Sequence, residues 1–124
     1  MMITLVSAVA LIDPDGKILL SQRPKGKEME GLWEFPGGKV EINETPETAL
    51  IRELKEELGI LTWNSCLAPL TFASHNYNNF HLLMPLFICR RWEGIPKPKE
   101  GQNLKWVHPI NIKNYKMLPA DLPL

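Results

Sequence analysis

Three glutamates, Glu53, Glu56 and Glu57, stand at a spacing that brings carboxylates together on a helix. With Glu53 at zero and about 100° per residue, Glu57 falls at about +40° and Glu56 at about −60°. Like charges at this spacing repel, and acids in a last turn oppose the helix dipole. A hard divalent cation such as Mg²⁺ would offset both effects, because it prefers oxygen ligands. The alternative is a solvated acidic face, with Arg52 and Lys55 offsetting part of the charge.

The segment that carries these acids has the sequence signals of a helix. Thr45 is a capping residue type, Pro46 suits the first helical position, and Gly59 is a common C-terminal stop. These signals predict a helix over residues 46–58, whose apolar side packs on a sheet while its acidic side lies along the border. The predicted apolar side comprises Leu50, Ile51, Leu54 and Leu58.

Upstream of the helix, Pro36-Gly37-Gly38 and Glu44 are the next candidates. A Pro-Gly-Gly sequence can turn sharply and bring backbone carbonyls and amides close to a ligand. By itself such a turn is a weak signal, because most of them are ordinary loops. Combined with Glu44 and the acidic helix, it becomes part of a specific pattern.

The rest of the chain has the patterns of strands and loops. A short apolar segment, 32–35, is halted by the Pro-Gly-Gly sequence, and residues 109–117 favour a short, weakly helical segment. Pro85 predicts that its strand lies at an edge or contains a bulge. Strands on both sides of one strong helix indicate a mixed α/β class, and 124 residues fit a single domain spanning 1–124. The predicted strands are 3–12, 17–22, 67–73, 82–90 and 104–107.

Bulk composition narrows the class of partner. Fourteen basic and fourteen acidic side chains cancel, so no net charge attracts a nucleic-acid polymer or a membrane surface. No apolar run approaches membrane-spanning length, and Cys66 and Cys89 match neither a metal nor a disulfide pattern. We expect a cytoplasmic protein, monomeric, that binds a small molecule.

The fixed positions around the acidic helix resemble the Nudix box. Gly38 is followed after five residues by Glu44 and after seven more by residues 52–60 (RELKEELGI), so every fixed position of this 23-residue signature is filled. The resemblance implies an α/β/α sandwich around a mixed β-sheet, with the box forming a loop–helix–loop metal site. Further segments resemble the MutT-type branch, the 8-oxo-dGTP diphosphatases: 31–39 (GLWEFPGGK), 91–94 (RWEG), 99–102 (KEGQ) and 118–121 (LPAD).

The resemblance implies an enzyme that hydrolyses nucleoside triphosphates with Mg²⁺, for which Mn²⁺ can substitute. Attack at the β-phosphorus would release a nucleoside monophosphate and pyrophosphate. In the MutT-type branch the implied substrate is 8-oxo-dGTP, whose removal from the nucleotide pool limits mutation. A broader (d)NTP or CTP pyrophosphohydrolase is the enzymatic alternative, because one fold supports varied pockets. A non-catalytic nucleotide-binding Nudix module is the alternative from another class.

Carried over by position, the resemblance assigns the metal to four glutamates and one backbone carbonyl. Arg52 would orient the glutamates by salt bridges. Either Glu53 or Glu100 would accept the proton of the attacking water, and the sequence does not choose between them. The implied metal ligands are Gly38, Glu53, Glu56, Glu57 and Glu100.

The implied substrate contacts lie elsewhere in the chain. Arg23 and Lys39 would face the phosphates, and Phe35 and Asp121 would line the base pocket. An ionised Asp121 only accepts hydrogen bonds, which suits the N1–H and N2–H₂ donors of guanine and disfavours the N1 acceptor of adenine. We therefore hypothesise guanine selectivity through Asp121. The alternative is a surface acid in a turn beside Pro119.

Four further side chains are candidates for the pocket walls. Tyr77 and Phe80 fall near the positions where related enzymes place groups that cover the base. Leu5 and Ser7 can project from the first predicted strand into the pocket, and the alternative for either is a place in the core.

Overall fold

A computed structural model describes residues 2–119 and 121 of the chain. One α-helix, α1 (Pro46–Leu58), and two 3-10 helices, Asn64–Cys66 and Pro109–Asn114, occur in this part. No helix among these residues is both long and apolar enough to cross a membrane. The strands are β1 (Ile3–Leu11), β2 (Ile18–Gln22), β3 (Trp33–Glu34), β4 (Gly37–Lys39), β5 (Leu67–Asn76), β6 (His81–Cys89) and β7 (Asn103–Val107).

Two sheets organise these strands. The four-stranded sheet has the order β4-β1-β6-β5, in which β1 and β6 run parallel and the other pairs are antiparallel. The three-stranded sheet has the order β3-β2-β7 and is antiparallel. The mixed sheet together with α1 confirms the predicted mixed α/β class.

Side chains of β1 alternate between two apolar clusters, as expected for a strand that is covered on both faces. Ala8 and Ala10 belong to one cluster, and Val9 and Leu11 belong to the other. The leucines of α1 pack in the second cluster, while Ile112 of the second 3-10 helix packs against the first. Helical segments therefore lie on both faces, and the second one occupies the stretch that was expected to be weakly helical.

The ends of α1 are the ones its sequence predicts. The Thr45 side chain accepts a hydrogen bond from the Thr48 N–H at 3.1 Å, Pro46 is the first helical residue, and Gly59 follows the last one. Burying a leucine side chain stabilises by about 2 kcal/mol, whereas a like-charged pair on a helix destabilises by only about 0.2–0.5 kcal/mol. The apolar side therefore decides where the acids stand. Its fully buried leucines are Leu50, Leu54 and Leu58.

The Pro-Gly-Gly sequence changes the chain direction at a bend, as expected, and then continues as a strand that the sequence does not predict. Pro36 lies at the bend, and Gly37–Lys39 continue as β4. This strand pairs antiparallel with β1, where Gly38 lies opposite Ser7. The pairing places the backbone of β4 next to α1 and thereby builds one wall of the site.

Pro85 does not lie in an edge strand, so the edge alternative of that prediction is wrong. Its strand, β6, is flanked by β1 on one side and by β5 on the other. Pairs between β1 and β6 stop at Leu5–Leu83 and resume at Ala8–Leu86. Proline has no N–H to donate, and the interruption of the parallel pairing accommodates it in an interior position. The register irregularity of this region lies in the neighbouring β5.

Candidate active site

Arg52 holds the acids of α1 and of the preceding loop in one network. Its Nε and Nη2 donate to the two oxygens of Glu44 at 2.8 and 3.0 Å. Its Nη1 donates to Glu53 at 2.8 Å and to Glu56 at 3.4 Å, and its Nη2 also donates to the Lys39 carbonyl at 3.1 Å. A planar guanidinium offers its donors in fixed directions. Arg52 therefore stands where a residue that orients these glutamates is expected.

Glu44 is an acid whose charge the protein itself neutralises. Hydrogen bonds from Arg52, followed by one from the Glu41 backbone N–H, lower the pKa of Glu44 to about 2. The pKa of Arg52 is raised in turn, chiefly by its hydrogen bonds to Glu44. This pair ties the loop before α1 to the helix.

Glu57 has the opposite surroundings. Burial, followed by the charges of Glu53, Glu34 and Glu100, raises the pKa of Glu57 to about 9. In the part of the chain that the structure describes, no basic side chain forms a salt bridge with it. Acids that face one another away from water favour the protonated form unless a cation joins them. The groups around Glu57 therefore have the chemistry of a cation site.

Gly38 allows the backbone of β4 to lie directly against Glu53. A Cβ atom at position 38 would collide with the Glu53 carboxyl group, so a larger residue here would displace the Glu53 side chain. Ser7, opposite Gly38, donates its hydroxyl hydrogen to the Pro46 carbonyl at 2.7 Å and so ties β1 to the start of α1. Gly38 is thus held beside an acid of the helix, as a carbonyl ligand would need to be.

Glu57 and Glu100 line a small polar cavity of about 180 Å³. Arg23 and Glu34 line it as well, and their side chains form a salt bridge of 3.3 Å. Burial raises the pKa of Glu34, while the charge of Arg23 opposes that rise. Sequence reasoning misses Glu34, although an acid inside the apolar segment 32–35 is a signal that could have found it.

The expected metal ligands are gathered only in part. Glu57 and Glu100 share the polar cavity, whereas Glu53 and Glu56 each direct an oxygen toward Arg52. Among residues 2–119 and 121, no three His, Cys, Asp or Glu side chains are grouped as ligands of one ion. The donor set consists of oxygens, and Glu57 and Glu100, which form no salt bridge among the described residues, fit a hard cation such as Mg²⁺. Metal binding itself stays a prediction.

A larger cavity of about 360 Å³ adjoins the polar one. Both are lined by Arg23, Glu34 and Glu57, and the larger cavity extends to Phe35 and Asp121. We refer to these two adjoining cavities together as the groove: one end is acidic, the other is aromatic and apolar, and the expected phosphate and base residues line the larger cavity. Its other walls include Met29, Lys39, Tyr77, Phe80 and Leu82.

Asp121 lies at the far end of this groove. Its Oδ2 accepts a hydrogen bond from the Phe35 backbone N–H at 2.9 Å, and only 4% of the residue is exposed. Burial raises the pKa of Asp121 to about 7, with smaller effects from the Phe35 N–H, which lowers it, and from Glu34, which raises it. Asp121 is therefore not a surface acid. An ionised side chain is expected from the sequence, whereas a pKa of about 7 leaves part of it protonated at neutral pH. Ala120 of the same motif lies outside the described residues.

Of the four further candidates for the pocket walls, Tyr77, Phe80 and Ser7 line the larger cavity, whereas Leu5 does not. Tyr77 and Phe80 line the larger cavity, and their rings stack with centroids 5.2 Å apart. On β1, Thr4 and Val6 line this cavity, rather than Leu5. Ser7 lines it as well. The face of β1 that meets the groove is therefore mainly the even-numbered one.

The chain matches the family model of the NUDIX domain over residues 7–124. This chain belongs to the Nudix family. The CTP pyrophosphohydrolase of Escherichia coli (strain K12) is 41% identical over 117 residues, which cover 93% of this chain and 84% of that relative. The 8-oxo-dGTP diphosphatase of the same strain is 34% identical over 118 residues, which cover 94% of this chain and 90% of that relative.

A solved structure extends the agreement to the fold. The solution structure of the E. coli ORF135 protein matches 100% of this chain and 86% of its own, with a TM-score of 0.87 and 36% sequence identity. The Nudix fold and the MutT-type resemblance are thereby confirmed, and the chain is a Nudix hydrolase. Because the relatives are named for two different nucleotides, the preferred base is a separate question.

Proposed function

We propose that this Nudix hydrolase is a Mg²⁺-dependent pyrophosphohydrolase of nucleoside triphosphates, with 8-oxo-dGTP as its preferred substrate. The observation that carries the proposal is the groove of two adjoining cavities, in which Arg23, Glu34 and Glu57 line both the polar and the larger one. A nucleotide has the matching form, with charged phosphates at one end and a flat base at the other. The products would be a nucleoside monophosphate and pyrophosphate, and the removal of oxidised guanine would limit mutation.

The acids around Glu57 would hold the metal. Glu53, Glu56, Glu57 and Glu100 supply carboxylate oxygens, and the Gly38 carbonyl would add a backbone oxygen. When bound, Mg²⁺ neutralises phosphate charge and lowers the pKa of a bound water, and Mn²⁺ can replace it. We expect chelation to abolish hydrolysis and added Mg²⁺ to restore it.

Arg23 and Lys39 would bind the phosphates. The Nε of Arg23 donates to the Glu28 carbonyl at 2.7 Å and its Nη1 pairs with Glu34, so the guanidinium is held at the wall of the groove. Lys39, at the end of β4, lines the larger cavity. Both cations would orient the triphosphate with its β-phosphorus near the acids.

Two carboxylates remain candidates for the group that accepts the proton of the attacking water. Glu53 has one oxygen, Oε1, bound to Arg52 at 2.8 Å, which leaves Oε2 as the acceptor. Glu100 lines the polar cavity and is not among the salt bridges of the described residues. Measuring kcat for Glu53→Gln and for Glu100→Gln would distinguish them. The variant that has lost the proton acceptor should have the lower kcat of the two.

Asp121 supports a second candidate substrate. Ionised, it accepts from the N1–H and N2–H₂ of guanine; protonated, it both donates and accepts. Cytosine presents an acceptor at N3 beside the N4–H₂ donor, which matches the protonated form. A pKa of about 7 allows both forms near neutral pH. This observation, together with the relative named CTP pyrophosphohydrolase, favours CTP as the alternative to 8-oxo-dGTP.

Pyrophosphate release from a nucleotide panel tests the proposal. The panel contains 8-oxo-dGTP, dGTP, dATP, dCTP and CTP, each with Mg²⁺ and with EDTA. We expect Mg²⁺-dependent release, greatest with 8-oxo-dGTP, and its loss in Glu57→Gln but not in the control Glu47→Gln, which alters the first turn of α1. Binding of nucleotides without release from any of them would favour the non-catalytic binding module.

A further inference from the structure

Gln102 joins two parts of the site that are distant in sequence. It is buried, with 7% of its surface exposed, and it immediately precedes β7. Its Nε2 donates to the Glu57 backbone carbonyl at 3.0 Å, and its Oε1 accepts from the Glu100 backbone N–H at 2.8 Å. One side-chain amide therefore connects the last turn of α1 with the loop that carries Glu100.

The loop before Gln102 is docked on the C-terminal end of α1. Carbonyls in a last helical turn have no partner within the helix and attract outside donors. The Lys99 N–H donates to the Glu57 carbonyl at 3.1 Å, and the Lys97 N–H donates to the Leu58 carbonyl at 2.9 Å. Gln102 adds a bond that reaches Glu100 itself.

Gly101 allows the Glu100 N–H to face the side chain of Gln102. Its φ of +78° is a left-handed conformation that residues with a side chain rarely adopt. Glu100 is exposed, yet it lines the polar cavity beside Glu57. An exposed glutamate on a loop samples many positions unless its backbone is fixed. The amide of Gln102 supplies that fixed point.

We propose that Gln102 is a positioning residue that sets the separation between Glu100 and Glu57 during hydrolysis. This inference rests on the proposed function, because the separation matters only if both acids take part in the reaction. A displacement of about 1 Å in a reacting group can lower a rate by about 100-fold. Gln102 thus acts through Glu100 and need not touch the substrate.

The first test compares variants of two buried or half-buried glutamines. Gln102→Leu removes both bonds, and we expect it to lower kcat on 8-oxo-dGTP by about 10- to 100-fold with little change in KM. The matched control is Gln22→Leu. Gln22 donates to the Gly31 carbonyl at 3.0 Å and accepts from Asn103 at 2.9 Å, so it loses two bonds of the same kind away from the acids.

A double-mutant cycle separates positioning from general stability. If Gln102 acts through Glu100, Gln102→Leu lowers kcat far less in a Glu100→Gln background than in the wild type. Equal losses in both backgrounds would overturn the inference, and so would a Gln22→Leu that is as slow as Gln102→Leu.

A second variant covers the case in which Gln102→Leu does not fold. Gln102→Asn stays polar but is too short to reach both partners, so we expect a lower kcat from it too, and wild-type kcat would overturn the inference. Failure of the proposed function looks different, since the wild-type chain would then release pyrophosphate from none of the triphosphates. An active wild type with an equally active Gln102→Leu removes the inference alone.

Discussion

Glu44, just before α1, and Glu57, in its last turn, are the same residue type in opposite electrostatic environments. Two hydrogen bonds from Arg52 lower the pKa of Glu44 to about 2. Burial and neighbouring acids raise the pKa of Glu57 to about 9. The protein neutralises the first acid with its own cation, which fixes geometry. The second forms no salt bridge among the described residues, which is what the proposed site for a metal and a triphosphate requires.

The substitution Glu57→Gln tests the second half of this comparison and has the largest expected effect. Glutamine keeps the shape of the protonated acid but does not become an anionic ligand. We expect kcat to fall roughly 10²- to 10³-fold, while thermal stability in EDTA is retained. Added Mg²⁺ should raise the Tm of the wild type and leave that of the variant unchanged. Near-normal hydrolysis by the variant would show that Glu57 is not part of the metal site.

The substitution Arg52→Lys tests whether Arg52 fixes the geometry of the acids, and it has the second largest expected effect. Lysine keeps the charge but lacks the planar fork that binds Glu44 while also donating to Glu53 and Glu56. We expect kcat to fall about 10- to 100-fold, the scale seen when a partner that orients metal ligands is lost. Lys55→Arg, a similar exchange in the last turn of the helix, is the control. Equal kcat in the two variants would contradict the orienting role.

Changes at Asp121, at the base end of the groove, have a smaller expected effect, which is on the choice of nucleotide. Burial raises the pKa of Asp121 to about 7, and the charge of Glu34 adds to that rise. The ionised form suits guanine, so we expect the ratio of kcat/KM for dGTP over CTP to rise several-fold as pH increases through about 7. In Asp121→Asn this ratio should not depend on pH. If Asp121→Ala leaves the guanine-over-adenine ratio unchanged, guanine selectivity does not come from this residue.

Substitution of Glu44 has the smallest expected effect, which is a change in how the stability of the fold depends on pH below about 4.5. Its folded-state pKa of about 2 lies below the ordinary 4.5, so its contribution is complete above about pH 4.5 and is lost as pH falls toward 2. The Tm difference between wild type and Glu44→Gln should therefore shrink as the medium is acidified, which thermal melts at several pH values would measure. Glu47→Gln is the control. A Tm difference that is independent of pH would mean that Arg52 does not hold Glu44 ionised.

The sequence predicts α1 well because its signals act over a few residues. Thr45 and Pro46 start the helix and Gly59 ends it, each through local backbone geometry. The pairing of β4 with β1 and the interior position of Pro85 depend instead on which distant segments meet. Local patterns do not contain that information: they do not predict the pairing of β4, and the edge position that they favour for Pro85 is wrong.

Some residues of the candidate site are likewise predictable from the sequence, and others become known only from the fold. Spacing identifies the acids of α1, and the family resemblance adds Glu100 and Asp121. Glu34 and Gln102 are missed because their roles come from contacts across the fold: the Gln102 amide and the Glu57 carbonyl are 45 residues apart. The raised pKa of Asp121 is likewise a result of burial, which becomes known only once the groove is assembled.

The hydrogen bond between Asp121 and the Phe35 N–H spans 86 residues of sequence. During translation, all the glutamates of α1 are therefore incorporated before Asp121, which lies at the base end of the groove. The acids proposed to bind the metal precede the group proposed to recognise the base, and a stop codon just ahead of position 121 would yield the former without the latter.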